Sequence, residues 1–183
     1  MIKDTKENGE MRKILETDRL ILREFEDSDI DALKTVLGDS TVMKFSLNGA
    51  MNTEQIQEFI AKSKFRYQND KTGIWATVLK ESGELIGGIG LPFQEVEGKK
   101  HMEVAYRIAT DYWGKGYATE AAKACRNYAF NTLQHDYLIS IIEKENIPSI
   151  AVAKRVGMEF ERNALAWDIP VEIYSIKKEA IAS

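Results

Sequence analysis

"YWGKGYATEA", Tyr112 to Ala121, sets two glycines around a lysine directly ahead of an alanine-rich helical pattern. Glycine weakens a helix and alanine favours it, so the chain changes character within a few residues. A strand, a Gly-x-Gly turn and a helix in that order make an anion site. The first N–H groups of the helix lack partners within it, and the helix dipole adds partial positive charge at the same end. Gly114 and Gly116 let the backbone approach a bulky anion with no Cβ in the way, and Lys115 adds charge at the rim.

Three phosphate-binding patterns compete for this stretch. A Walker A loop needs G-x-x-x-x-G-K-[ST], whereas Lys115 is followed by Gly116 and no glycine stands at the required upstream position. A dinucleotide fingerprint needs a third glycine where Thr119 stands, although Asp136 falls roughly where a ribose-binding acid belongs. The third pattern depends on the elements on either side.

Upstream, "ILETDRLILREF" (Ile14–Phe25) alternates Leu20 and Leu22 with Arg19 and Arg23 and reads as one strand. "EDSDIDALKTVLG" reads as a helix capped by Asp27 or Ser28, striped by Ile30, Leu33 and Leu37, and stopped by Gly38. A second helix starts at Asn52 or Thr53 and carries Ile56, Phe59, Ile60, Ser63 and Tyr67 on one face. "GIWATVLK" and "LIGGIGLPFQEVEG" read as a hairpin closed by "ESGE", and "KHMEVAYRIA" as a third strand. After the glycine loop, Ala118, Ala121 or Ala122, Cys125, Ala129 and Leu133 recur at helical spacing. "DYLISIIE" is an apolar strand of the buried kind. "PSIAVAKRVG" is a short helix with Pro148 in its first turn and Gly157 as its stop, and "MEFER" and "VEIYSIKK" close the chain as strands.

Hairpins mixed with helical crossovers predict an α/β protein of the α+β kind, with one mixed sheet and helices packed on it. No repeat or low-complexity linker divides the 183 residues, so a flexible tail over 1–12 and a single domain over 13–183 are expected. The charged "MIKDTKENGEMRK" start lacks the apolar stretch of a secretory signal, and no run is long enough to span a membrane. A net charge of −4 without a basic cluster argues against nucleic acid as a partner. One cysteine fits a reducing compartment, and one cysteine with two scattered histidines gives no metal motif.

In this context the third pattern holds. "WGKGYA" resembles the acetyl-CoA-binding motif Q/R-x-x-G-x-G/A of the GNAT superfamily of N-acetyltransferases, and "YWGKGYATEA" its RimJ/RimL-like ribosomal-protein branch. Gly116 and Ala118 take the two small positions, and Trp113 stands where the wider family has Gln or Arg. "TDRLILREFEDSDIDAL", "MEVAYRIA" and "ENIPSIAVAKRVGMEFE" resemble, in order, the opening strand and helix, the fourth strand, and the N-x-x-S…K-x-G-F segment. Met158 takes the usual Phe position, and the likeness runs over about residues 13–178.

The resemblance implies a GNAT fold of six or seven strands and about four helices, with a V-shaped splay between the fourth and fifth strands, here 101–109 and 136–143. It implies acetyl-CoA bound along the backbone of Val104, Ala105, Tyr106, Arg107 and Ile108, with its pyrophosphate at Trp113, Gly114, Lys115, Gly116, Tyr117, Ala118 and Thr119. Asn146 would contact the pantetheine arm, and Ser149 would lie near the thioester sulfur. An amine would attack the thioester directly, with a backbone N–H of the fourth strand supporting the oxyanion. It further implies a cytoplasmic enzyme acting on a protein N-terminus, with room for a homodimer. Small amines, polyamines, antibiotics and a non-catalytic acyl-CoA sensor remain open.

Glu103 is the candidate base if its strand face lines the cleft, and a solvated carboxylate otherwise. Ser149 and Tyr174 are rival donors to the departing sulfur; their bland alternatives are a helix cap and a core tyrosine. Asp168 and Glu172 form an acidic rim or a solvated pair. Trp75, Trp113 and Trp167 read as packing residues, and Cys125 as buried.

Overall fold

The computed structural model describes residues 12–178, so the expected tail lies outside the described residues except for Arg12. The stretch read as one opening strand is a hairpin of β1 (Lys13–Glu16) and β2 (Leu20–Arg23). Its turn has neither Gly nor Pro. Thr17 supplies the closure, donating its N–H to the Leu20 carbonyl at 2.9 Å and accepting the Leu20 N–H on Oγ1 at 3.0 Å.

A 3₁₀ turn over Asp27–Asp29 leads into α1 (Ile30–Leu37). Neither Asp27 nor Ser28 caps it; Glu26 and Asp29 form a reciprocal capping box instead. Asp29 is held there by Arg23, whose two Nη atoms each lie 2.7 Å from a carboxylate oxygen. α2 (Thr53–Asn69) is capped by Asn52, which exchanges 2.9 Å hydrogen bonds with Gln55. Its inward face is the expected one, with Ile56, Ile60, Ser63 and Tyr67 buried.

β3 (Ile74–Leu79) and β4 (Leu85–Gly90) form the expected hairpin, but the second strand ends early. Beyond Leu91 and Pro92 the chain enters a separate ribbon of β5 (Phe93–Val96) and β6 (Lys99–Met102). The third expected strand is likewise divided, because β6 gives way at Glu103 to β7 (Ala105–Ile108), which returns to pair with β4. Every residue of β4 is buried, so both its faces are covered. Its contact with β7 is close: a Cβ at Gly87 would lie 2.1 Å from the Arg107 carbonyl oxygen.

α3 (Tyr117–Asn131) follows the glycine loop, with Ala121, Ala122, Cys125, Ala129 and Phe130 turned into the core. Burial pushes the Cys125 thiol pKa up. β8 (Tyr137–Ile142) leads to α4 (Ile147–Val156), which ends at Gly157 with φ of 96°. β9 (Glu159–Ala166) and β10 (Ile169–Lys177) form a long hairpin, turned by Trp167 and Asp168 at φ of 52° and 62°.

The strands assemble as a five-stranded antiparallel ladder, β1-β2-β3-β4-β7, and a three-stranded one, β8-β10-β9. The mixed character rests on a single parallel bridge, Glu103 to Ile139, which joins the two. Beyond it β7 and β8 part, and this is the splay implied by the resemblance. The architecture, four helices on multi-stranded sheet, is the α/β arrangement that the resemblance implies; its strand count rises to ten because Thr17, Pro92 and Glu103 interrupt longer runs. No described helix is long and apolar enough to cross a membrane.

Candidate active site

The cleft opens where the two ladders separate. Val104 closes its apex, donating its N–H to the Ile139 carbonyl at 2.8 Å and accepting the Ser140 hydroxyl on its own carbonyl at 2.9 Å. Further along β7, the Ala109 N–H points at β4, bonding the Ile86 carbonyl at 2.9 Å. Strand alternation therefore turns the polar groups of Tyr106 and Ile108 the other way, toward the gap. Both carbonyls are taken: Tyr106 O accepts Arg107 Nη1 at 2.8 Å, and Ile108 O accepts the Trp113 indole at 2.7 Å. The Tyr106 and Ile108 N–H groups face no β8 carbonyl, which leaves them to an added extended segment.

Glu103, Val104, Ala105, Tyr106, Arg107, Asn146 and Ser149 all line this cleft. Glu103 is 8 % exposed, so its carboxylate is not on a solvated face. Burial raises its pKa, while Arg107, the Gln94 side chain and the Ile141 N–H partly oppose the rise. A carboxyl shifted toward neutrality is a stronger proton acceptor once ionised.

Asn146 caps α4, accepting the Ser149 N–H on Oδ1 at 3.3 Å, so the capping role is real and occupies one end of the amide. Ser149 follows in the first turn, where the helix dipole favours negative charge. Its carbonyl accepts the Tyr106 hydroxyl at 3.0 Å, tying α4 to β7.

Tyr174 is not brought to this cleft. It is buried against Phe160, with 6.0 Å between ring centroids, and its hydroxyl donates to Glu172 at 2.9 Å. Glu172, which accepts that bond, is half-buried, and Asp168 sits exposed in the β9–β10 turn. Trp75 packs as expected, but Trp113 and Trp167 are about half exposed, at 48 % and 47 %. Trp167 lies at the cleft mouth with Phe45, Leu47 and Ile169. Sequence reasoning passed over the Phe45–Leu47 segment, which has no periodicity and reaches the site only through tertiary contacts.

The glycine loop lies beyond the far end of β7. Gly116 is the N-cap of α3 at φ of 84°, in the left-handed region, and no side chain caps the helix there. The N–H groups of Tyr117, Ala118 and Thr119 begin the helix, and Glu120 makes the first intrahelical bond, to the Gly116 carbonyl at 3.0 Å. A Cβ at Gly114 would meet nothing within 4 Å, so open space lies over the loop. These are the features a pyrophosphate needs.

Lys115 is exposed, with Nζ 5.1 Å from the Tyr112 ring centroid. Trp113 braces the loop through Ile108, which spends its only donor within the protein. A residue missed in the sequence completes the brace. Arg19, from the β1–β2 turn, donates to Glu120 at 2.6 Å and to the Lys115 carbonyl at 3.0 Å, and lies 4.4 Å from the Tyr117 ring centroid. Thr17 adds a 2.6 Å bond to the same carboxylate. No helical or strand period marks such a contact across about a hundred residues. The described residues hold no cluster of His, Cys, Asp and Glu suited to a metal ion.

The sequence pattern of the acetyltransferase (GNAT) domain matches residues 19–159, spanning β2, the glycine loop and both cleft walls. The chain belongs to the GNAT acetyltransferase family. YkkB of Bacillus subtilis is 34 % identical over 164 residues, 89 % of this chain and 95 % of that one. Among solved structures, a GNAT-family acetyltransferase from Bacillus anthracis superposes with a TM-score of 0.76 at 27 % identity, over 90 % of this chain and 98 % of that one. RimL, a ribosomal alpha-N-protein acetyltransferase solved with coenzyme A, gives 0.75 at 17 % identity, covering 88 % and 95 % of the two chains; at that identity the likeness is one of fold. As a GNAT protein this chain is an N-acetyltransferase.

Proposed function

We propose that this GNAT protein transfers the acetyl group of acetyl-CoA to a primary amine, the α-amine of a polypeptide N-terminus. The observation that carries the reading is the buried Glu103 carboxylate at the point where β7 and β8 part. Acetyl-CoA supplies an activated carbonyl carbon: as the C–N bond forms the C–S bond breaks, and a thiolate leaves.

The protein's own groups meet each requirement of that exchange. Gly114 to Thr119 hold the pyrophosphate on backbone N–H groups, with Lys115 at the rim. The outward edge of Ala105 to Ile108 aligns the pantetheine arm, assisted by Asn146. Glu103 takes the proton of the attacking amine, directly or through one water. Ser149, beside the α4 N-terminus, donates to the departing sulfur, whose thiol pKa near 8.5 asks for modest help. Proximity of two bound reactants supplies much of the rate. Besides its polar groups the cleft is bordered by Phe45, Leu47, Trp167 and Ile169. The half-exposed Leu47 and Trp167 at its mouth offer an apolar path for the following residues.

Thiol release from acetyl-CoA tests the acceptor. A lysine-free peptide with a free α-amine should react, and its N-blocked counterpart carrying one lysine should not. Faster turnover of spermidine than of any peptide would move the assignment to a small amine, and no turnover with any acceptor would favour the sensor. The donor half has its own test in Gly116→Val. That change places a branched side chain on the loop and should weaken acetyl-CoA binding severely by calorimetry, with the far-ultraviolet dichroism retained. Unchanged affinity in the folded variant would remove the loop from the donor site.

A further inference from the structure

The cleft contains a cation that the acetyl transfer does not use. Arg107 lines it beside Glu103 and is partly buried, and loss of water around it pushes its guanidinium pKa down despite the opposing pull of Glu103. Its hydrogen bonds go to neutral acceptors. Nε and Nη2 both donate to Ser46 Oγ, at 3.2 and 3.1 Å, and Nη1 donates to the Tyr106 carbonyl at 2.8 Å. Among the described residues no carboxylate lies within the 4.0 Å of an ion pair; Glu103 is felt electrostatically from farther away.

A partly buried charge without a counter-ion is costly, so its persistence at a substrate cleft calls for an anion supplied from outside. The geometry leaves room for one. Ser46 occupies one edge of the fork through Nε–H and a single Nη2 hydrogen, and Tyr106 occupies one Nη1 hydrogen. Of the five donors two remain, one on each Nη, enough to meet the two oxygens of a carboxylate.

We propose that Arg107 anchors a carboxylate carried by the acceptor on the residue that bears the reacting amine. The inference rests on the reading above that the amine meets Glu103. Within one cleft, Glu103 then faces the amine and Arg107 the acid, while Phe45, Leu47, Trp167 and Ile169 border an apolar substituent. Two sources carry this chemistry: a free apolar α-amino acid, and a peptide whose first residue has an acidic side chain. Polyamines are disfavoured, since a polycation entering the cleft meets the guanidinium.

The test uses matched pairs with the full chain and acetyl-CoA. Phenylalanine is compared with phenethylamine, and a peptide beginning with Asp with the same peptide beginning with Asn. In at least one pair the carboxylate-bearing acceptor should have a kcat/KM roughly 10- to 100-fold higher, mostly through KM, as charge-assisted hydrogen bonds provide. The pair that shows it identifies the source. Arg107→Gln should abolish that preference, read as the ratio of kcat/KM within each pair, so that any change common to both acceptors cancels.

Binding of the N-acetylated products in the presence of coenzyme A, read by calorimetry, gives the same comparison without turnover. Equal affinities within both pairs, or no binding of any carboxylate product, overturns the proposal while leaving the acetyltransferase reading to its own test. Arg107→Gln lowering charged and neutral acceptors alike also overturns it, because it shows an arginine that only holds the Ser46 segment in place.

Discussion

Arg23 is buried and Arg107 partly so, and the surroundings complete one and not the other. Arg23 gives both Nη atoms to Asp29 at 2.7 Å, with side chains only 11 % and 7 % exposed, and the pairing raises its pKa. Arg107 bonds a serine hydroxyl and a peptide carbonyl, and burial lowers its pKa. The first arrangement is closed on itself and fixes α1 to β2. The second is closed only when something enters the cleft. The β2–α1 corner is therefore built for stability, and the β7–β8 gap is built to be finished by a substrate.

The change that should separate the two regions most sharply is Glu103→Gln. It should cut kcat by roughly 10²- to 10⁴-fold, the range of general-base catalysis, without loosening acetyl-CoA. The sign with pH follows from the raised carboxyl pKa. Below that pKa Glu103 is protonated and cannot accept a proton, so the wild-type rate falls as pH drops. Well above it the amine is increasingly neutral by itself, so the deficit of the Gln variant should shrink between pH 7 and 9. Equal rates for the two proteins across pH 6–9 would exclude Glu103 from proton transfer.

Next is Asp29→Ala, which strands the Arg23 charge. Urea denaturation should show a loss of about 3–5 kcal/mol, as for other broken buried pairs, with kcat per folded molecule unchanged. A loss under about 1 kcal/mol would mean that this corner is as open as the cleft, and the contrast would fail.

The smallest effects distinguish a cleft serine from a core tyrosine. Ser149→Ala should lower kcat by roughly 10- to 100-fold, less than loss of an oxyanion-hole donor. Tyr174→Phe, which removes only a bond to Glu172, should stay within about threefold, well inside the former range. A reversed order in folded variants that bind acetyl-CoA normally would return the proton donor to Tyr174.

Features with local causes were legible in the sequence. The glycine loop, the Asn52 cap, the α2 stripe and the Gly157 stop each depend on residues within a turn or two of one another. The failures share the opposite property. The β1–β2 turn closes on a threonine hydroxyl, and the β9–β10 turn puts Trp167 and Asp168 at positive φ, so neither carries the Gly or Pro that marks a turn. Glu103 was recognisable as a candidate on the less apolar side of its strand, but its burial depends on β8 arriving as a parallel neighbour. Tyr174 alternates as a cleft residue would, and only the packing of Phe160 shows otherwise. Arg107 was read through its backbone because its partner Ser46 is 61 residues distant. Arg19 was read as the polar face of a strand for the same reason, with Glu120 101 residues distant.

Cys125 has a use that follows from its silence. It sits inward on α3 with 0 % exposure, and its thiol is held protonated by burial. A thiol reagent can reach it only while α3 is lifted, so the labelling rate at fixed pH times that opening rather than any chemistry of the site. The same helix begins at the glycine loop, and a molecule that binds the loop holds the closed state in excess over the open one. Labelling should therefore slow in proportion to occupancy, and the native chain carries its own clock for the donor site, readable without turnover, acceptor or an introduced label.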